Sequence, residues 1–194
     1  MLLNRVVVSL LLALSPMAMA DSLDVHMNNT SAQFKLGMSA SGIGDGDAEL
    51  QSRLFFNDAS DMLLDAGVFA RGASGGGEEG AAGPIAGGGL RVVYSKLDNL
   101  GTTYTLACIA LGGEFGFALP SSIPISIIGK YLLSPKILSF ADAERYNEYG
   151  VRLELAASQQ AKIYLGFRQI GFGAKNAGSL VLDTGTHIGL VVSW

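Results

Sequence analysis

Apolar residues in this chain recur at every second position, and that period constrains its fold more than any other feature. In the last eight residues, HIGLVVSW, Ile188, Leu190, Val192 and Trp194 share one face while His187, Gly189, Val191 and Ser193 share the other. Upstream, Tyr149, Val151, Leu153 and Leu155 oppose Glu148, Gly150, Arg152 and Glu154, and Ile163, Leu165 and Phe167 oppose Lys162, Tyr164, Gly166 and Arg168. A period of two with charges on one side is the pattern of a two-faced strand. The same alternation runs through 125–133, 89–95, 49–56 and 32–39, and through 23–28, where Leu23, Val25 and Met27 oppose Asp24, His26 and Asn28. Segments 62–72 and 102–119 alternate poorly and are placed as strands because strands surround them.

Composition decides what covers the apolar faces. The chain is 49% hydrophobic, yet after its leader it never stays apolar for the ~20 residues that a spanning helix needs. The best candidate, Thr105 to Leu119, is interrupted by Gly112, Gly113, Glu114 and Gly116 and closed by Pro120. A soluble β-sandwich would also alternate. Here, however, the apolar faces are almost unbroken and carry Tyr and Phe toward their ends, while the opposite faces carry full charges at mid-strand, as membrane strands do. The expectation is therefore an all-β fold, a transmembrane antiparallel up-and-down β-barrel of ten strands, with eight as the alternative count.

The first 20 residues fit that destination. Arg5, the apolar run Val6 to Leu14 and the small residues Ala18 and Ala20 form a secretory signal peptide with cleavage before Asp21. Residues 21–194 then make one domain, destined for the bacterial outer membrane. Without Arg5, 12 of the 13 basic residues face 17 acidic ones, which argues against a nucleic-acid partner. Cys108 is the single cysteine, so no internal disulfide is available, and its apolar surroundings suit a small hydrophobe better than a reactive thiol.

Connections set the expected topology. Reading back from Trp194, GFGAKNAGSLVLDTGT is long, AASQQA short, SPKILSFADAERYN long and LPSSIP short, the alternation of outer loops and periplasmic turns. The rhythm breaks at the glycine-rich stretch 71–89, which reads as a flexible insertion and carries no phosphate-binding context.

Function then rests on the lumen. Alternation turns Lys35, Arg53, Arg71, Arg91, Lys130, Arg152, Lys162 and Arg168 inward, against Asp24, Glu49, Asp65, Glu114, Glu148 and Glu154. Such charges pair across a narrow barrel, giving either a salt-bridged structural interior or, where pairs part, a small porin-like channel for small solutes. His26 and His187 point inward on the first and last strands, with Asp24 beside the one and Asp183 and Gly185 beside the other. A lipid hydrolase or acyltransferase would use such a histidine as a base, but Ser193 lies at the periplasmic end and nothing marks a nucleophile beside them. No spacing of His or Cys marks a metal site, and no cofactor is expected. The outer loops, with Phe140, Asp142, Glu144, Arg145 and Lys175, offer a binding or adhesion surface as a further alternative.

One stretch carries a family resemblance. From Gly129 to Ile170 the chain has a Gly-x-Tyr strand (Gly129, Tyr131), Ser-Pro at 134–135, Leu-Ser at 138–139, Tyr-x-Glu at 146–148 before a Gly-x-Arg strand (Gly150, Arg152), and Tyr-x-Gly-x-Arg (Tyr164, Gly166, Arg168). It resembles the C-terminal half of the YfaZ family of outer-membrane proteins. The resemblance implies a porin-like outer-membrane β-barrel without catalytic residues. The alternating terminal strand ending on an aromatic, Ile188, Leu190, Val192 and Trp194, resembles the signal read by the outer-membrane assembly machinery. The expected partners are thus that machinery and outer-membrane lipid.

Overall fold

The structure, a computed structural model, describes residues 20–40, 47–73, 82–121 and 124–194. Apart from Ala20, the expected signal peptide lies outside the described residues. The strands are β1 (Ser22–Met27), β2 (Ser31–Ser39), β3 (Asp47–Asn57), β4 (Met62–Ala73), β5 (Gly83–Asn99), β6 (Thr102–Leu119), β7 (Ile125–Ser134), β8 (Ser139–Ala141), β9 (Ala143–Ala156), β10 (Ala161–Ala174) and β11 (Gly178–Ser193). All except β8 close into one antiparallel ring, in chain order, with β11 returning to pair with β1. The link from β7 to β9 passes through a 3-10 turn (Lys136–Leu138) and then β8, which pairs with β6 outside the ring. The ten ring strands are the ten expected, eight marked by alternation, including 23–28, and two, 62–72 and 102–119, placed by their neighbours, so the eight-strand alternative falls. Among the described residues no helix is long and apolar enough to cross a membrane, which says nothing about strands.

Register fixes the barrel's shape. From Met27, the pairings one way round run through Ala32, Phe56, Met62 and Lys96 to Thr105 on β6. The other way they run through Ile188, Leu165, Leu153 and Ile127 to Phe117 on the same strand. Thr105 and Phe117 are 12 residues apart, and that stagger over ten strands tilts them by about 40°. The barrel is then narrow enough for side chains from opposite walls to meet.

Two expectations need correction. The stretch 71–89 is mostly strand: Arg71 ends on Gly87 and Phe69 on Gly89 in a continuous β4–β5 ladder, and the remainder, 74–81, lies outside the described residues. Glycine suits this wall because the Phe69 ring lies on it; a Cβ at Gly89 would come within 2.7 Å of Phe69 Cδ2. The expected long loop GFGAKNAGSLVLDTGT is also strand, since β10 runs to Ala174 and β11 starts at Gly178. A bulge explains why the period hid it. Ile170 pairs with Asp183 but Gly171 pairs with Val181, so Leu182 is an extra residue and the alternation flips there. As a result the expected contrast of long outer loops and short periplasmic turns is not observed. At the end far from Trp194 the connections 28–30, 58–61, 100–101 and 175–177 are tight, and the long connection there is 135–142.

Polarity is inverted relative to a water-soluble barrel. Large apolar side chains stand outside, with Phe115 69%, Ile188 63% and Leu165 60% exposed, while Arg53 and Glu148 are each 2% exposed inside. The outward face turns polar toward the far end: Tyr149 donates to Gln169 Oε1 at 2.7 Å, and Asn147 and Arg145 follow it on the same face of β9.

Candidate functional site

The lumen is built in three layers, and the strand period explains their stacking. Arg53, Asp65, Arg91, Lys130, Glu148 and Arg168 form the middle layer. One inward position further toward the far end, the same strands place Phe55, Leu63, Val93, Leu132, Tyr146 and Ile170. With Leu97, Leu106, Cys108, Phe172, Leu180 and Leu182, these make a contiguous buried apolar cluster inside the barrel. The Tyr146 and Phe172 rings lie 4.9 Å apart within it. The far end of the lumen is therefore sealed by packed side chains.

The middle layer is a network of buried ion pairs. Arg53 donates to both carboxylate oxygens of Glu148 at 2.8 Å and to Asp65. Arg91 donates to Asp65 at 3.0 Å, and Lys130 to Glu148 at 2.9 Å. Tyr146 donates to Glu148 at 2.5 Å. Glutamine carbonyls take further donors, Gln51 from Arg91 and Gln33 from Arg168. Arg168 is also held by Asp183 at 2.5 Å and stands over the Phe55 ring, 5.2 Å from its centre, tying the ionic layer to the apolar one.

Beside it, His26 and His187 stack at 4.4 Å where β1 meets β11. Tyr164 donates to Asp24 at 2.6 Å and lies 3.1 Å from His26 Nδ1, with Gln33 on the same nitrogen at 3.3 Å. Glycines opposite make room for these rings: a Cβ at Gly189 would sit 2.2 Å from Tyr164 Cζ, and one at Gly166 would sit 2.8 Å from His187 Nε2. This is the physical content of the Tyr-x-Gly-x-Arg strand. Among the described residues neither imidazole has a serine or cysteine hydrogen-bond partner, and no group of three or more His, Cys, Asp or Glu could hold a metal ion.

Toward Trp194 the lumen widens into a vestibule of about 550 Å³, lined by Lys35, Glu49, Phe69, Arg71, Arg152, Glu154 and Lys162 among others. Its charges are mostly paired, Lys35 with Asp24 at 3.3 Å and Arg71 with Glu114. Arg152 Nε lies 2.6 Å from Glu154 Oε1, in an orientation poor for a hydrogen bond. Glu49 is held by Ser22 at 3.1 Å and Gln51 at 2.5 Å. At the rim, the Ser39 backbone amide donates to the Asp21 carboxylate and holds it below the usual carboxylate range.

Of the expected lumen residues, Arg53, Lys130 and Arg168 meet in the middle layer, His187 flanks it, Arg152 and Glu154 line the vestibule, and Glu114 pairs with the vestibule's Arg71. Lys162 stands exposed at the vestibule, without an ion pair among the described residues. Ile188, Leu190 and Val192 face outward on β11, while Trp194, just past its end, stands exposed at the vestibule rim, its backbone N donating to Asp21 O at 3.1 Å as the ring closes. Period-two reasoning missed Tyr146, Tyr164, Gln33 and Gln51 as network members, and the apolar seal altogether. Its signal was the segment 102–119: alternation fails there because Leu106, Cys108 and Ala110 face an apolar lumen while Ala107, Ile109 and Leu111 face outward.

No protein-family model, curated protein or solved structure matches the chain. The fold and lumen alone define its class: a closed ten-stranded antiparallel barrel, apolar outside and charged within.

Proposed function

We propose that the chain is an outer-membrane β-barrel of the YfaZ type whose lumen is closed, a structural barrel with a one-ended vestibule and no open pore. The observation that carries this reading is the polarity inversion together with the seal. An exterior on which residues such as Phe115, Leu165 and Ile188 stand exposed needs lipid to cover it. Within, the ion-pair layer leaves a space of about 60 Å³, and the apolar layer lies behind it. Porin-like conduction would require the Arg53–Glu148 strut to part and the apolar cluster to move. Wide aqueous channels belong to barrels of about 16–18 strands, well above ten.

The signal-peptide pattern at 1–20 and the outward terminal strand ending at Trp194 supply the route, export followed by delivery to the assembly machinery. The test has two arms. Expressed chain should fractionate with outer membranes and show heat-modifiable gel mobility. Vesicles carrying the refolded protein should swell no faster in small sugars and amino acids than empty ones. Recovery in a soluble fraction would refute the membrane reading, and rapid swelling would refute the closed lumen.

A further inference from the structure

We propose that the mid-lumen cavity binds one small monovalent inorganic anion, a halide or nitrate, against Arg53, Arg91 and Lys130. The inference goes beyond the closed-barrel reading and starts from local charge. Arg53, Arg91 and Lys130 share two carboxylates, Asp65 and Glu148. The other ion-paired lumen cations, Lys35, Arg71, Arg152 and Arg168, each have a carboxylate of their own. The central cluster therefore holds one cation in excess, and a buried charge left uncompensated costs several kcal/mol. Glu49 reaches this cluster only through Gln51, whose carbonyl takes a donor from Arg91 and whose amide donates to Glu49.

A donor and a space are both available. Arg91 is 2% exposed and its Nε has no hydrogen-bond partner among the described residues. Arg53, Arg91 and Lys130 all line a cavity of about 60 Å³. One water takes about 10–15 Å³ in that measure, so the space suits a halide or nitrate and excludes a bulky organic anion. It adjoins the vestibule, with which it shares Asp24, Lys35 and Arg152, so an ion can arrive from the end of the barrel near Trp194.

The experiment uses the chain from Asp21 to Trp194, refolded in a zwitterionic detergent, and reads the midpoint of its heat-modifiable transition. Sodium chloride, sodium nitrate and sodium gluconate are compared at equal ionic strength. Chloride and nitrate should raise the midpoint saturably while gluconate does not. Lys130→Met, which removes the excess cation, should abolish the difference, and Lys162→Met should leave it intact. Should Lys130→Met fail to refold, Arg91→Met serves the same purpose. In parallel, chloride-35 NMR should show excess line broadening that nitrate displaces. Equal midpoints in chloride and gluconate, or a chloride effect that survives the charge-removing variant, would overturn the proposal. Neither readout depends on conductance, so failure of the closed-lumen reading is scored separately.

Discussion

Arg53 on β3 and Glu148 on β9 stand on diametrically opposite walls of the ring, and their side chains meet through two hydrogen bonds of 2.8 Å. Both are almost fully buried, and each has a second ionic partner, Asp65 for Arg53 and Lys130 for Glu148, so the pair is the centre of one coupled network. Glu148→Leu should cost about 3–5 kcal/mol, because Arg53, Arg91 and Lys130 are then left with the single carboxylate of Asp65, whereas Arg53→Met, which leaves Arg91 on Asp65 and Lys130 on Glu148, should cost less. The double variant should recover a large part of that loss. Guanidinium unfolding of the four proteins in lipid vesicles measures it, and additive losses in the double variant would show that the two residues are not coupled.

The exterior makes a separate demand. In a bilayer, Leu165→Arg on the apolar belt should destabilise by about 2–4 kcal/mol, while Gln169→Arg, four residues along the same outward face, should cost about 0–1 kcal/mol. In a water-soluble barrel, by contrast, an arginine replacing a leucine that is 60% exposed would be close to neutral. The same vesicle unfolding measurement separates the two cases.

Tyr164 joins β10 to β1 from inside the lumen. Tyr164→Phe deletes its 2.6 Å bond to Asp24 and its contact with His26, and should cost about 1–3 kcal/mol. Gly189→Ala should perturb the same contact without touching the phenol, since its Cβ would fall 2.2 Å from Tyr164 Cζ. Unfolding midpoints check both, and an unchanged midpoint for Gly189→Ala would mean that the ring does not lie over that glycine.

Trp194 stands at the vestibule rim and is 58% exposed, with its backbone amide paired to Asp21 O. Trp194→Ser should therefore leave in vitro stability nearly unchanged but lower the yield of assembled protein in cells. Comparing refolding in vesicles with outer-membrane recovery tests this. Equal losses in both assays would assign Trp194 to stability and not to recognition by the assembly machinery.

Much of this barrel was legible because a strand's period of two sorts residues into an inner and an outer set without knowledge of their partners. Glu148, Arg152 and Arg168 could be assigned inward from alternation alone, and His26 and His187 could be placed together once the first and last strands were taken to close. What the period could not carry were features that break it. The bulge at Leu182 shifts the inward set, so a strand looked like a loop. Glycines 83 and 87–89 lack side chains to alternate, so half of β5 looked like a linker. The apolar seal makes both faces of β6 apolar, which erased the contrast the method reads. Pairing choices were also beyond reach, because Arg53 meeting Glu148 across the ring, besides its cross-strand neighbour Asp65, depends on barrel radius and stagger.

The most direct test of the central claim is a planar-bilayer recording of the refolded chain from Asp21 to Trp194. A lumen closed by the Arg53–Glu148 layer and the apolar cluster around Phe172 predicts a flat baseline across moderate voltages, with protein that is demonstrably folded by heat-modifiable mobility. Stable, reproducible single-channel steps from the same folded protein would contradict it.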